Sequence, residues 1–349
     1  MTRLFRAFGA PLASVILLLS GVWILGLIAA PQLIMIEQSL WRMERPEGSA
    51  EISVQIDGLY NRLDVIGLDR SVAESETDSA KRETELAALA AEEAAIKAEI
   101  AVLEEKESTP VKVYTLDNFG QMGSAHLAIF AKTIVASLAV SAIALVVCYP
   151  IAYAVAKLET PRTAAAIMLA LVIPYAINEL LRIFAWQMIL NNNGPANALL
   201  GLLGFDPVPF LDSGAGVFVA MVYAYILFMV FPLYNVLETL DSNQVEAARD
   251  LGASTWQIHR RVVIPHARPG IAVGCIMTFM LSAGSYAVPY IMTRGTAAPW
   301  FTQLIYNRFF EATNWNVGAA YALSLLAVCT VFIFLMMRLL KVSLKDIAK

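Results

Sequence analysis

The stretch EAARDLGASTWQIHRRVVIP, residues 246–265, is a long polar and basic segment between two strongly apolar ones in the second half of the chain. Val245, Ala248 and Leu251 recur at helical spacing, which predicts a short helix with these three side chains on one face. Glu246 is expected in the first turn of this helix, where the helix dipole favours a negative charge. Gly252 is expected to end the helix, because glycine readily takes the positive φ found just past helix ends.

The residues after Gly252 predict the entry into an apolar helix. Trp256 and Ile258 offer apolar contact beyond the turn. Pro265 and Pro269 are expected where the next helix begins, since a missing N–H group does little harm in a first helical turn. The stretch therefore predicts a helical connection that lies outside the apolar segments on either side.

The composition is typical of a polytopic membrane protein. Apolar residues make up 58% of 349, and the mean hydropathy is +0.63. About 20 apolar residues span the hydrocarbon core of a bilayer as a helix. Five intervals of at least that length contain no Asp, Glu, Lys or Arg, and a sixth is interrupted only by Glu179 and Arg182. They predict six transmembrane helices, at residues 7–36, 133–156, 163–190, 213–237, 269–293 and 312–337. The first is too long for a cleaved signal peptide and lacks a clear cleavage site, so we expect it to be retained.

A polar region separates the first two predicted spans and differs from the rest of the chain. Residues 37–120 contain 19 acidic and 9 basic side chains. Apolar residues repeat there at alternating steps of three and four, with Glu93 at one interrupted position, which predicts an antiparallel coiled-coil hairpin. Its function is open between a docking surface for a partner and a solvated spacer, and the spacer is favoured. The apolar positions are Ile52, Ile56, Leu59, Leu63 and Ile66, then Leu86, Leu89, Ile96, Ile100 and Leu103.

The distribution of basic residues predicts the orientation of the chain. Basic side chains in short loops and beside spans mark the cytoplasmic side. With a cytoplasmic N-terminus, the two short outer loops contain only Arg294 and Arg308. Both termini and the 246–265 stretch are then cytoplasmic, and the acidic hairpin lies outside. The inner segments contain Arg3, Arg6, Lys157, Arg162, Arg249, Arg260, Arg261, Arg268, Arg338, Lys341, Lys345 and Lys349.

No motif for catalysis or for a bound cofactor stands out in the sequence. The chain has no phosphate-binding loop of the G-x-x-x-x-G-K-[ST] type. Cys148, Cys275 and Cys329 all fall inside predicted spans and have no metal-ligand spacing. His259 and His266 flank the basic stretch and are expected to serve interface or headgroup contacts. We therefore expect a chain that is not an enzyme, with no catalytic residue, metal or cofactor of its own.

The polar stretch resembles the EAA loop of the membrane subunits of bacterial ATP-binding-cassette (ABC) importers. The likeness rests on seven positions: Glu246, Ala247, Ala248, Gly252, Val262, Ile264 and Pro265. In that family the loop docks into a groove on the ATPase subunit. The resemblance implies that the chain couples to such a subunit through Glu246, Ala247, Ala248, Gly252, Trp256 and Pro265.

Other segments are similar to the membrane subunits of spermidine/putrescine importers, among them YPIAYAVAK at residues 149–157 and LLRIFAWQMILNNNGPAN at 180–197. The resemblance implies an all-α, type I ABC importer permease with six transmembrane helices in the bacterial inner membrane. The expected domains are the N-terminal tail and first span at 1–36, the periplasmic insertion at 37–123, and the permease core at 124–349 with its coupling loop at 238–268. Expected partners are an ATPase dimer that uses ATP and Mg²⁺, a second and different permease chain, a periplasmic solute-binding protein and the lipid bilayer, with no nucleic acid.

Glu179 and Arg182 are the ionisable residues well inside a predicted span. A charge near the bilayer centre costs at least ~2.5–3.5 kcal/mol on insertion scales, so such residues normally face protein or a water-filled path. One interpretation is a self-neutralising pair at i and i+3 that joins neighbouring helices. The other is that Glu179 meets a cationic solute, helped by aromatic rings that bind cations. The candidate aromatic residues are Tyr175, Trp186, Tyr286 and Tyr290.

Three other functions remain to be weighed against a polyamine permease. The chain is also compatible with an ABC permease for another small organic solute, such as an amino-phosphonate or an opine. A membrane scaffold or sensor would work through its coiled-coil hairpin and need no ATPase. A transporter driven by an ion gradient would be expected to contain ionisable residues in several spans, whereas five of the six predicted here have none.

Overall fold

The computed structural model describes residues 5–6, 8–44, 49–74, 79–108, 111–157, 160–293 and 299–343, and most of them are helical. They divide into two compact units, one formed by Met1–Ser39 with Phe119–Lys349 and the other by Leu40–Asn118. Five helices in the described part are long and apolar enough to cross a membrane, and a bent helix pair gives a sixth crossing if it counts as one span. This agrees with the predicted all-α, six-span permease.

The helices and strands follow one another along the chain in this order: α1 (Ala10–Ser39), β1 (Trp41–Glu44), α2 (Ser49–Glu74), α3 (Ser79–Ser108), β2 (Val111–Tyr114), α4 (Asp117–Gly120), α5 (Ser124–Lys157), α6 (Pro161–Val172), α7 (Glu179–Ile189), α8 (Pro195–Leu202), α9 (Ala215–Glu238), α10 (Ser242–Asp250), α11 (Thr255–Ala283), α12 (Ala287–Met292), α13 (Phe301–Tyr306) and α14 (Trp315–Leu340).

Helices α5, α9 and α11 form the centre of the first unit, and their buried faces are built from small residues and aliphatic side chains. The closest approach is between α11 and α9. A Cβ atom added to Gly270 would lie 2.5 Å from the carbonyl oxygen of Pro232, so only glycine allows the two backbones to touch there. Ser141 adds a buried hydrogen bond from α5 to the Cys275 carbonyl of α11, at 3.0 Å.

One expected span boundary is wrong. Helix α5 runs through Pro150 to Lys157, one residue beyond the expected end of the second span at residue 156. Helix α11 begins at Thr255, so Pro265 and Pro269 lie inside it and not at its start. A π-helical turn, His259–Val263, ends just before these prolines. Its wider backbone suits a helix in which a proline ring would otherwise collide with the carbonyl four residues earlier.

The expected third span is not one straight helix. The segment Pro161–Ala176 and helix α7 meet at an angle of 95°. A 3₁₀ turn, Ile173–Ala176, contains Pro174, and the chain is extended at Ile177 before α7 begins. Proline at this point removes a helical N–H donor and allows the break. Glu179 therefore stands at the start of a helix, not in the middle of a span.

The outer helices α1 and α14 pack against each other along part of their length. The side-chain amide of Asn316 donates a hydrogen bond of 2.8 Å to the Gln38 carbonyl at the end of α1. Most apolar side chains of α1 face outward, as expected for a helix surrounded by lipid hydrocarbon or by another membrane chain. A π-helical turn, Ile24–Ala29, interrupts α1 near its middle.

The second unit is an antiparallel helical hairpin closed by two short strands. Strands β1 and β2 pair antiparallel, with Trp41 opposite Tyr114 and Glu44 opposite Val111. The all-helical expectation missed these strands because four residues give too short an alternation to recognise. Between the strands, α2 and α3 bury apolar side chains between them at positions of the expected pattern. These side chains are Ile52, Ile56, Leu59, Leu63, Ile66, Leu89, Ile96, Ile100 and Leu103.

Polar contacts across the hairpin run antiparallel as well. The Tyr60 hydroxyl donates a hydrogen bond to Glu104 at 3.0 Å, which raises the pKa of the tyrosine because the carboxylate stabilises the protonated phenol. Arg62 pairs with Glu92 across the hairpin at 2.9 Å. Glu93 accepts a hydrogen bond from Lys97, and this contact lowers the pKa of the carboxyl group.

Candidate coupling surface and solute pocket

Helix α10 is the short helix expected in the polar stretch, but it begins earlier than expected. Its N-cap is Asp241, whose side chain accepts a hydrogen bond of 3.0 Å from the Asn243 N–H group. Glu246 therefore lies in the middle of the helix, and the expectation that it occupies the first turn is wrong. Asp241, and not Glu246, is the acidic residue at the positive end of the helix dipole.

The end of α10 is as expected. Gly252 has a φ of 80°, in the left-handed region that glycine adopts without strain. The Gly252 N–H donates to the Arg249 carbonyl at 2.9 Å, and the Ala253 N–H donates to the Ala248 carbonyl at 3.1 Å. These two bonds form a Schellman motif, which satisfies carbonyls that a helix end otherwise leaves free. Ser254 and Gln257 then form a capping box that starts α11 directly.

The two sides of α10 differ in what they contact. Val245 and Ala248 are half-buried against the core formed by α5, α9 and α11. Leu251 was expected on the same face, but its side chain is 89% exposed. We define the coupling surface by four of the exposed side chains of this region: Glu246, Ala247, Leu251 and Trp256. Pro265 is half-buried within α11 and does not belong to this surface.

Contacts with the membrane helices hold the coupling region in place. Lys157, at the end of α5, donates to the carbonyls of Glu238, at 3.1 Å, and Leu240. The Tyr149 hydroxyl hydrogen-bonds to Nδ1 of His259 at 2.7 Å. His259 thus makes a contact inside the chain, which spacing along the sequence could not reveal.

His266 makes a similar internal contact. Its Nε2 atom lies 3.1 Å from both the Thr239 hydroxyl and the Val236 carbonyl, at the end of α9. The N-terminal half of α11 is thus tied to the helix that precedes the coupling region. The two histidines, together with Lys157, make the polar stretch a fixed part of the membrane unit and not a loose linker.

A pocket of about 400 Å³ lies beside the start of α7. Its wall is formed by residues of the break before α7, of α7 itself, of α9 and of the junction between α11 and α12. Four of the six predicted path residues line it. The lining residues are Tyr175, Glu179, Arg182, Ala224, Tyr225, Phe228, Leu281, Gly284, Ser285, Tyr286 and Ala287.

Glu179 and Arg182 do not form the expected ion pair. Among the residues that the structure describes, the ion pairs within 4.0 Å do not include these two side chains. The Arg182 guanidinium instead lies 4.2 Å from the ring centre of Tyr175, whose hydroxyl donates to the Tyr223 carbonyl at 2.7 Å. Glu179 is exposed, so its carboxylate is open to an incoming group.

Arg182 keeps unused hydrogen-bonding capacity. Its Nε and Nη1 atoms are buried and have no hydrogen-bond partner within the described ranges. A buried guanidinium N–H group without an acceptor is costly, so such a group is normally satisfied by a partner or a ligand. The pocket therefore offers one open carboxylate and two open donor groups a short distance apart along α7.

The remaining two predicted path residues lie just outside the pocket. Trp186 packs on Tyr223, with ring centres 5.2 Å apart, in the core behind the pocket wall. Tyr290 stacks on Tyr286 at 5.2 Å. Tyr225, Phe228 and Ser285 also line the pocket but were not predicted, because nothing in the local sequence distinguishes them from other neutral residues of the apolar segments.

The described residues contain no cluster of three or more His, Cys, Asp or Glu side chains that could hold a metal ion. All three cysteines are free and buried. The chemistry available in the pocket is thus charge pairing, hydrogen bonding and contact with aromatic rings.

Comparison with known proteins identifies the kind of membrane protein. Residues 149–345 match the family of binding-protein-dependent transport system inner membrane components. The chain is 31% identical over 216 residues to the spermidine/putrescine transport system permease protein PotB of Haemophilus influenzae, covering 60% of this chain and 75% of that protein. It is 32% identical over 219 residues to PotB of Escherichia coli K12, with 61% and 78% covered.

Among solved structures, the fold matches a bacterial ABC transporter involved in the import of the acidic polysaccharide alginate. The TM-score is 0.50 at 17% sequence identity, with 66% of this chain and 84% of that chain covered. The matched family model extends over more than half of the chain, including the coupling surface and every residue that lines the pocket. The chain therefore belongs to the binding-protein-dependent transport system inner membrane components, and it is a permease subunit of an ABC importer, not an enzyme.

Proposed function

We propose that this permease imports a small organic amine of the polyamine class and that the solute passes through the pocket beside α7. The observation that carries the proposal is the open Glu179 carboxylate in a pocket whose wall also contains Tyr175, Tyr225 and Tyr286. An ammonium group is attracted by a carboxylate and by the faces of aromatic rings. The polyamine transport proteins to which the chain is similar support the same class of solute.

A second class of solute is supported by Arg182. Its unpartnered, buried Nε and Nη1 atoms suit an acceptor such as a carboxylate or a phosphonate. A solute with both an amine and an acidic group, as in an opine or an amino-phosphonate, would use Glu179 and Arg182 together. Putrescine and ornithine separate the two classes, because ornithine is putrescine with an added carboxylate.

The exposed apolar side chains of the coupling surface support an ATPase subunit as a partner. Leu251 and Trp256 are large apolar side chains exposed on a polar connection, which is typical of a surface that a partner covers. We propose that an ATPase subunit binds here and hydrolyses ATP with Mg²⁺, and that a second, different permease chain and a periplasmic solute-binding protein complete the importer. Both termini then lie in the cytoplasm and the helical hairpin in the periplasm, where we favour the spacer function over docking or sensing.

The test is ATP-driven uptake by the complete importer in lipid vesicles. Labelled putrescine should accumulate, and Glu179→Gln should reduce uptake by about tenfold or more while assembly and thermal stability stay near wild type. Asp212→Asn is the matched control, since Asp212 is an exposed carboxylate that does not line the pocket.

Two results would change the assignment. Preference for ornithine over putrescine in the same vesicles, lost in Arg182→Gln, would establish the amphoteric solute. Loss of the folded complex in Glu179→Gln, rescued by adding Arg182→Gln, would show that the two residues form a structural pair and would remove Glu179 from the path.

A further inference from the structure

A row of stacked aromatic rings leads away from the pocket. Tyr286, which lines the pocket, stacks on Tyr290 with ring centres 5.2 Å apart and contacts the tilted ring of Tyr306 at 4.8 Å. Tyr306 in turn contacts Phe310 at 4.8 Å. We call these four residues the aromatic row. It joins α12 to the end of α13 and to the π-helical turn Asn307–Glu311.

The rings of the aromatic row are unusually open for side chains packed against one another. Tyr290 is 48% exposed, Tyr306 40% and Phe310 63%. Tyr306 is tilted by 32° and 37° to its two neighbours, so its faces are only partly covered. Rings used purely for internal packing are normally buried, as Phe301 is on the same helix.

The charged side chains beside the row are Glu311 and Arg308. Glu311 lies close enough to interact electrostatically with the Tyr286 hydroxyl. The nearby Arg308 is directed elsewhere, since its guanidinium carbon lies 5.8 Å from the ring centre of Tyr321. Aromatic faces and one carboxylate, with the basic side chain turned aside, are the features that bind organic ammonium groups.

We propose that the aromatic row is a second binding site for an organic ammonium ion, leading from the expected outer loop around Arg308 to the pocket beside α7. This inference rests on the proposed import of an amine and adds Tyr290, Tyr306 and Phe310, none of which lines the pocket. An ammonium group of the solute would contact the ring faces of Tyr306 and Phe310 first and pass Tyr286 into the pocket. The row would hold a solute that the binding protein has released until the transporter opens to the cytoplasm.

The experiment measures labelled putrescine imported per ATP hydrolysed by the complete importer, with its solute-binding protein, in lipid vesicles. Tyr306→Leu and Phe310→Leu remove a ring, whereas Tyr306→Phe and Phe310→Tyr keep it. The Leu variants should import about five- to tenfold less putrescine per ATP, the change that corresponds to loss of a partly desolvated cation–π contact. The ring-preserving variants should stay near wild type, and ATP hydrolysis stimulated by the binding protein should be unchanged in all four.

Each alternative has a distinct result that would overturn the inference. Unchanged import per ATP in both Leu variants would exclude the row while leaving amine import intact. Equal loss in Tyr306→Leu and Tyr306→Phe would assign the effect to the hydroxyl and not to the ring. Dissociation of the purified complex in the Leu variants would identify the row as an interface with the second permease chain. Absence of amine uptake by the wild-type importer would refute the proposed solute class and the row together.

Discussion

Replacing Leu251 by alanine should weaken binding of the ATPase subunit without harming the fold of the permease. The side chain is 89% exposed, so it contributes little to folding. The change removes three carbon groups, each worth about 0.8 kcal/mol when buried. If the ATPase covers the exposed part, the loss is about 2 kcal/mol, or roughly a 30-fold lower affinity.

The assay is titration of the purified permease complex in detergent with the ATPase subunit, combined with a thermal unfolding measurement. Leu202→Ala is the matched control, because Leu202 is 85% exposed on α8 and undergoes the same chemical change away from α10. The unfolding midpoint should be unchanged in both variants. Equal affinities for Leu251→Ala and Leu202→Ala would refute the assignment of the coupling surface.

Three further predictions concern packing, the hairpin and pH. Gly270→Val should destabilise the first unit by about 1–3 kcal/mol through overpacking, which should appear as a lower unfolding midpoint. Gly201→Val is the control, because no atom lies near its Cβ position and the added side chain should cause much less steric strain. Replacing residues 50–108 with a short Gly/Ser linker should preserve assembly and uptake, and a large, salt-sensitive loss of uptake would instead support a docking function. The Lys97 contact lowers the pKa of Glu93 in the folded hairpin. The ionised Glu93 side chain therefore stabilises the hairpin at pH values above the pKa of this residue in the unfolded chain, and the stabilisation is lost as pH falls through its lower pKa in the folded chain. Protease cleavage of the hairpin in the full complex should therefore increase with acidification, and Glu93→Gln should reduce that increase.

The sequence was most informative where nearby residues determine the backbone conformation. Gly252 was expected to take a positive φ and end a helix, and it does so at 80°. The apolar pattern of the hairpin identified most of the side chains buried between α2 and α3. The number of spans followed from length and hydrophobicity alone, because a bilayer sets both.

Prediction failed where distant parts of the chain decide the outcome. The start of α10 was missed because Asp241, and not Glu246, has the free N–H groups within reach. Leu251 does not share a face with Val245 and Ala248 because it is the C-cap residue of α10, where the helical repeat ends. The 95° bend before α7 needs the packing of α9 and α12 around it, which Pro174 alone does not specify. Apolar periodicity could not show which neutral residues of α9 face the pocket, since all faces of a membrane helix are apolar.

Helix α11 connects the coupling surface with the pocket. Its 29 residues run without a gap from Thr255, beside Trp256 of the coupling surface, to Ala283, next to the pocket wall at Ser285, a length of about 43 Å. The helix touches the α9 backbone most closely at Gly270, which leaves arms of roughly 23 Å and 20 Å on either side. Because this contact lies near the middle of α11, any tilt of the helix about Gly270 would move its coupling end and its pocket end in opposite directions.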